Sequence, residues 1–199
     1  MGQRLVVTVK RDDEDVCKVY YHWSAYTTSA LLETKKILDF LNEYRYAPKK
    51  ELQLQLIRFC EKNGGGIDGF DRENIQKLFP KEKFKADGYS RNEGLIALSE
   101  DGMDDMQKWS EGDVEINLDN DTVYFDVLWV CNDFKEYKKE RCEWDDDFKD
   151  ITINDIPEIN FELTQFSIYD IDKVFKEIES LNNNFYAARY KDIIYDFVA

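Results

Sequence analysis

The chain has 199 residues, of which 43% are hydrophobic and 15% aromatic, enough to close one ordinary core and too apolar for a disordered chain. Its formal net charge of −15 excludes the basic face that direct binding of DNA or RNA requires. The opening apolar run is too short for a signal-peptide core and no stretch approaches membrane-spanning length, so the expected compartment is the cytoplasm.

Leu5 to Lys10 and Val16 to Trp23 are rich in β-branched and aromatic residues and flank the polar RDDED, which predicts an opening hairpin with an acidic, solvated tip. From Ser29 onward Ala30, Ile37, Leu38, Leu41 and Tyr44 follow helical spacing, with Thr27, Thr28 or Ser29 as candidate N-caps and Pro48 closing the helix. A second helix is expected from near Lys49, with Leu52, Leu56, Phe59 and Cys60 as its apolar stripe and Gly64, Gly65 and Gly66 as its stop. Asp71 is placed to cap a short third helix ending at Pro80. The run GGGIDG at 64–69 satisfies G-x-G-x-x-G, but a dinucleotide fingerprint follows a strand and this one follows a helix, so no phosphate role is assigned to it.

Gly94 to Ser99 reads as a short strand and DDMQKW as a helical turn. Val114, Ile116 and Leu118 alternate with polar residues, and after the turn residues Asp119, Asn120 and Asp121 the positions Val123, Phe125, Val127 and Trp129 share one face of the next strand. These two strands predict a second hairpin. Residues 131–165 are charged and weakly periodic, with Pro157 interrupting, and are expected to form loops with an edge strand near Ile151 to Ile153. Asp170 caps an expected helix through Ile171, Val174, Phe175, Ile178 and Leu181, and a helical stripe from Tyr186 to Phe197 follows, although IIYDFV reads equally as a strand. The expected architecture is a single α+β domain over 1–199: an antiparallel sheet from two hairpins packed against helices, with a helical C-terminus. A subdivision at about residue 130 would separate a core from an acidic loop and the C-terminal helices.

The charge is lopsided. Residues 1–99 carry 17 Lys/Arg against 15 Asp/Glu, whereas residues 100–199 carry 10 against 27. Glu100 to Asp126 holds ten acids against Lys108 alone, and Glu143 to Glu162 holds eight against Lys149 alone. Outward carboxylates on a strand recur about every 6.7 Å, so such a block presents a row of negative charge resembling a nucleic-acid backbone. The candidate partner-binding acids are Asp101, Asp104, Asp105, Glu111, Asp113, Glu115, Asp119 and Asp121, joined by Asp145, Asp146 and Asp147. The partner they imply is a basic nucleic-acid-binding protein, reached by fast, salt-sensitive association. The competing reading is a solvated face that only keeps the protein soluble. Neither DNDTVYFD nor DDDFKD has the calcium-loop order D-x-[DN]-x-[DN]-G with a distal Glu, so no metal is assigned.

A second constellation is polar and aromatic: Tyr20, Tyr21, His22, Trp23, Ser24 and Tyr26 at a strand-to-helix junction, with Arg91, Asn92 and Glu93 before the 94–99 strand; the candidate ligand-binding residues among them are Tyr21, His22, Trp23, Tyr26, Arg91 and Asn92. Aromatic faces stack a base, a guanidinium holds a phosphate and an amide reads an edge, so a nucleotide or another small ligand is the alternative to the protein partner. A structural corner of mutually satisfied side chains is its plain counterpart. Catalysis finds little support: Cys17 and His22 differ by five positions on one strand and point to opposite faces, and no G-x-S-x-G elbow occurs. The four cysteines form no CxxC pair and read as reduced, mostly buried thiols; no cofactor is implied.

The segments MGQRLVVTV, YYHWSAYTTSALL and GYSRNEGLIALSEDGM resemble a family of uncharacterised proteins of Firmicutes and their phages over residues 1–130 or so. The resemblance implies a bacterial host cell and offers no catalytic residues. In size, charge and presumed origin the chain is also similar to phage-encoded inhibitors of bacterial defence, anti-CRISPR proteins among them. That similarity implies an inhibitor that blocks the basic groove of a CRISPR effector or another defence nuclease, with no enzymatic activity of its own.

Overall fold

The computed structural model describes residues 4–25, 27–87, 93–127 and 165–176. Strands β1 (Leu5–Arg11) and β2 (Glu14–Tyr21) form the expected first hairpin, paired from Leu5 with Tyr21 to Arg11 with Glu14. Its two tip residues, Asp12 and Asp13, both have positive φ, of 56° and 58°, as a tight two-residue hairpin turn demands. The tip is not merely solvated: the N–H groups of both residues donate to the carboxylate of Asp119.

Two helices follow, α1 (Thr27–Tyr44) and α2 (Lys49–Lys62). On α1 the buried residues Ala30, Leu31, Thr34, Ile37, Leu38 and Leu41 recur at three- and four-residue steps, and on α2 Leu52, Leu56, Ile57 and Cys60 do the same. Both stripes pack on the face of the sheet that carries Leu5, Val7, Val9, Cys17, Val19 and Tyr21. Gln53 fastens the layer by donating its amide to the Val16 carbonyl, at 2.9 Å in a buried setting.

The chain leaves α2 through Gly64, at φ 95°, and enters β3 (Gly66–Asp68). Crowding explains the next two glycines. A Cβ at Gly65 would stand 1.9 Å from the Gly94 carbonyl oxygen, and one at Gly66 would stand 2.3 Å from that of Lys85. Helix α3 (Arg72–Leu78), strand β4 (Ala86–Asp87), strand β5 (Leu95–Ala97) and helix α4 (Glu100–Gln107) complete the middle of the chain. Asp71 precedes α3 as expected but its side chain does not cap it; the carboxylate turns instead to Leu98 and Ser99. The helical turn expected around DDMQKW is the end of α4, which starts earlier because the Ser99 hydroxyl accepts from the Gly102 N–H.

Strands β6 (Gly112–Asn117) and β7 (Thr122–Asp126) make the second hairpin, and β8 (Gln165–Ser167) adds to its outer edge. A single 3-10 turn, Ile168–Asp170, leads into helical residues 171–176, whose Ile171 and Val174 reach the main core. The edge strand expected at Ile151 to Ile153, the face position of Trp129 and the rest of the helical C-terminus lie outside the described residues.

The sheet departs from the expected antiparallel arrangement. It has eight strands in the order β4-β3-β5-β2-β1-β6-β7-β8 and is mixed. The two hairpins are joined through β1 and β6, which run parallel from Leu5 beside Gly112 to Lys10 beside Asn117. β3 also pairs in parallel with β4 and with β5. Parallel neighbours need a long crossover, and here the chain between β2 and β6 holds helices α1 to α4. Among the described residues no helix is long and apolar enough to cross a membrane.

Candidate functional site

Successive residues of a strand point to opposite faces, so the face opposite α1 and α2 carries Val6, Lys18, Tyr20 and Leu95. Helix α4 covers part of this second face, seating Met103 and Met106 on Val6, Leu95 and Ala97. Beside that contact the covering stops and leaves a cleft of about 630 Å³, within the range of small-ligand pockets. Tyr20, His22 and Leu95 form its sheet wall, while Asp101, Gly102, Asp105 and Met106 line it from one face of α4. Asp68 at the end of β3, Phe70 just after it, Asn74 on α3, Trp109 just past α4 and Arg4 just before β1 complete it, so the cleft carries one cation, itself paired with Glu111, against three aspartates.

The position of α4 depends on Asp71, which is fully buried. Its carboxylate accepts from the backbone N–H of Leu98 at 2.6 Å and of Ser99 at 3.0 Å, from the Asn74 amide at 3.1 Å and from the Ser99 hydroxyl. Ser99 in turn caps α4, so one carboxylate aligns both sides of the cleft. Gly102 is required by the same contact, because a Cβ there would lie 2.8 Å from the Asp71 carboxyl carbon.

Asp68 is only 6% exposed, and among the described residues it has no ion pair. Burial pushes its carboxyl above the ordinary aspartate range, and the nearby charges of Asp71 and Asp105 push the same way; the backbone N–H groups of Phe70, 3.3 Å away, and of Gly69 oppose them. Phe70 and Trp109 are 80% and 56% exposed, unusual for large apolar side chains on the rim of a concavity. Arg4 forms a fork with Glu111, Nη2 to Oε1 at 3.0 Å and Nε to Oε2 at 3.2 Å, and its guanidinium lies 5.7 Å from the centre of the Trp109 ring. Burial and the Arg4 charge both hold the His22 pKa below the usual histidine value, so its ring is neutral at pH 7. Its Nδ1 shares a 2.7 Å hydrogen bond with the Tyr20 hydroxyl.

Of the aromatic residues expected to line a pocket, His22 does so. Tyr21 does not: it is buried in the main core, because the period of the strand sends it to the face opposite Tyr20. Trp23 is partly exposed and meets the His22 ring edge-on, at 4.7 Å between centroids. Tyr26, Arg91 and Asn92 lie outside the described residues. Cys17 sits in the helix-covered core, on the other face from His22.

The expected row of outward carboxylates is interrupted. Glu111 is held by Arg4, Glu115 by Lys10 at 3.0 Å, and Asp121 by Arg45 and the Tyr169 hydroxyl. Asp113 accepts from Gln107 and Ser110, and Asp119 takes the hairpin-tip N–H groups. For Glu111 and Glu115 the parallel pairing of β1 with β6 is the reason, since it lays Arg4 and Lys10 of the first half of the chain beside acids of the second. Helix α4 is different: Glu100, Asp101 and Asp104 are exposed and have no ion pair among the described residues, while Asp105 meets only Lys108, at 3.6 Å. Asp145, Asp146 and Asp147 lie outside the described residues. No group of three or more His, Cys, Asp or Glu among the described residues is arranged to hold a metal ion.

No protein-family model, curated protein or solved structure matches the chain.

Proposed function

We propose that the protein is a binding module whose cleft under α4 receives a positively charged organic group. The observation that carries this reading is Asp68: a nine-tenths buried carboxylate that lines a cleft and has no counter-ion among the described residues. A buried carboxylate without a cation is unfavourable, and a cationic guest relieves it. Asp101 and Asp105 add charge from α4, while Phe70, Trp109 and Met106 supply apolar surface for the body of the guest. The test is calorimetric titration with Nα-acetyl arginine amide and with its uncharged isostere Nα-acetyl citrulline amide. Binding of the first alone, weakened at least tenfold by Asp68→Asn, is the expected result; equal binding of the two removes the charge argument.

A second reading, an acidic inhibitor that occupies the basic nucleic-acid groove of a bacterial defence enzyme, is favoured by the exposed carboxylates of α4. It draws its described acidic surface from Glu100, Asp101, Asp104 and Asp105 rather than from β6 and β7, whose acids are engaged internally. Under this reading Asp101→Asn, Asp104→Asn and Asp105→Asn together abolish partner binding without unfolding the protein.

A further inference from the structure

The cleft does not end the acidic surface. Asp101 and Asp105 line it, but Glu100 and Asp104, on the same helix, are exposed outside it and stand without ion partners among the described residues. A guest confined to the cleft would leave these two charges unmet, whereas a basic chain running across α4 would meet them. The aromatic rim favours one cationic group in particular. Trp109 already has the planar guanidinium of Arg4 beside its ring, and flat guanidinium groups can lie plane to plane on an aromatic face, a contact that compact ammonium groups, though also drawn to ring faces, cannot make. The same group also forks onto a carboxylate such as Asp68.

We infer that the guest is an arginine side chain presented by a basic segment of a protein partner, seated between Asp68 and the Phe70 and Trp109 rim while Glu100 and Asp104 contact its basic neighbours. This rests on the cleft reading above and adds the identity of the occupant. Electrostatic steering then comes from α4 and selectivity from the cleft, so salt weakens the contribution of the helix more than that of the cleft.

The experiment compares three probes by calorimetry at low salt: the same Nα-acetylated arginine amide, an acetylated hexapeptide with one arginine among lysines, and that peptide with citrulline in place of the arginine. The peptide is expected to bind at least tenfold more tightly than arginine amide, and citrulline to remove most of its affinity. Glu100→Gln with Asp104→Gln should erase the tenfold gain and leave arginine amide unchanged. Phe70→Ala, at an exposed position that does not threaten folding, should weaken both ligands. Equal affinities for the peptide and arginine amide overturn the inference and leave the cleft reading standing, with a small organic cation as guest. A citrulline peptide that binds as well as the arginine peptide overturns it too, by making the contact one of α4 alone. If neither arginine ligand binds, both readings fall.

Discussion

Replacing Asp71 with alanine should destabilise the protein about as much as emptying a large core position. The carboxylate is fully buried and has four donors on it: two backbone N–H groups, one amide and one hydroxyl. Asn74 keeps the Ser99 hydroxyl oxygen as its acceptor at 3.2 Å, and the half-buried Ser99 O–H is free to rotate toward another acceptor, so the uncompensated loss falls chiefly on the N–H groups of Leu98 and Ser99. A buried donor left without an acceptor costs about 1–3 kcal/mol, so the pair predicts a loss of about 4 kcal/mol. With a urea dependence of about 2 kcal/mol per molar, the unfolding midpoint moves down by about 2 M at an unchanged slope. Asp71→Asn separates hydrogen bonding from charge. Its carbonyl oxygen can still accept from both N–H groups, but its amide then faces that of Asn74, and a loss of roughly 2 kcal/mol is expected. The assay is urea unfolding followed by circular dichroism for both variants. An alanine variant whose midpoint falls by less than about 0.5 M refutes the claim that this carboxylate holds α4 in place.

Three further outcomes follow from the same contacts. Burial raises the Asp68 pKa above its unfolded value, so this group favours the fold when protonated and opposes it as pH rises through the folded pKa; Asp68→Asn should therefore raise the melting temperature at pH 7, with the gain shrinking as pH falls through the raised folded pKa and gone below the ordinary aspartate value of about 4. A melting-temperature difference independent of pH would contradict that cause. Asp121→Asn tolerates the positive φ of this position but leaves the largely buried Arg45 guanidinium without a carboxylate, and should cost roughly 2 kcal/mol in urea unfolding, discounted for the partial exposure of Asp121. Unchanged stability would mean that Tyr169 and the Leu118 carbonyl suffice for Arg45. Burial raises the pKa of both Cys17 and Cys60, so in mass-spectrometric mapping their peptides should resist thiol reagents until denaturant unfolds the protein. Rapid labelling of either in native buffer would show that the helix-covered core opens locally.

The local elements were readable because each is written by neighbours in the chain. The alternation of Val114, Ile116 and Leu118 marked β6, the apolar steps of α1 and α2 marked those helices, and the RDDED turn marked the first hairpin. Even the choice between Tyr20 and Tyr21 was accessible. Val19 and Tyr21 share one face by parity, and that face is the one a core must take, which leaves Tyr20 and His22 for the other.

The pairing of β1 with β6 was not accessible, because it joins residues more than a hundred positions apart and depends on where the intervening helices pack. From that one pairing followed the neutralisation of Glu111 and Glu115 and the breakup of the expected acidic row. Composition alone determined that the chain could close an aromatic-rich core and that its excess charge lay after residue 100. Only tertiary structure decided which carboxylates meet a cation and which, like Asp68 and the acids of α4, are left facing a cleft or solvent, because charge compensation is set by distance in space and not along the chain.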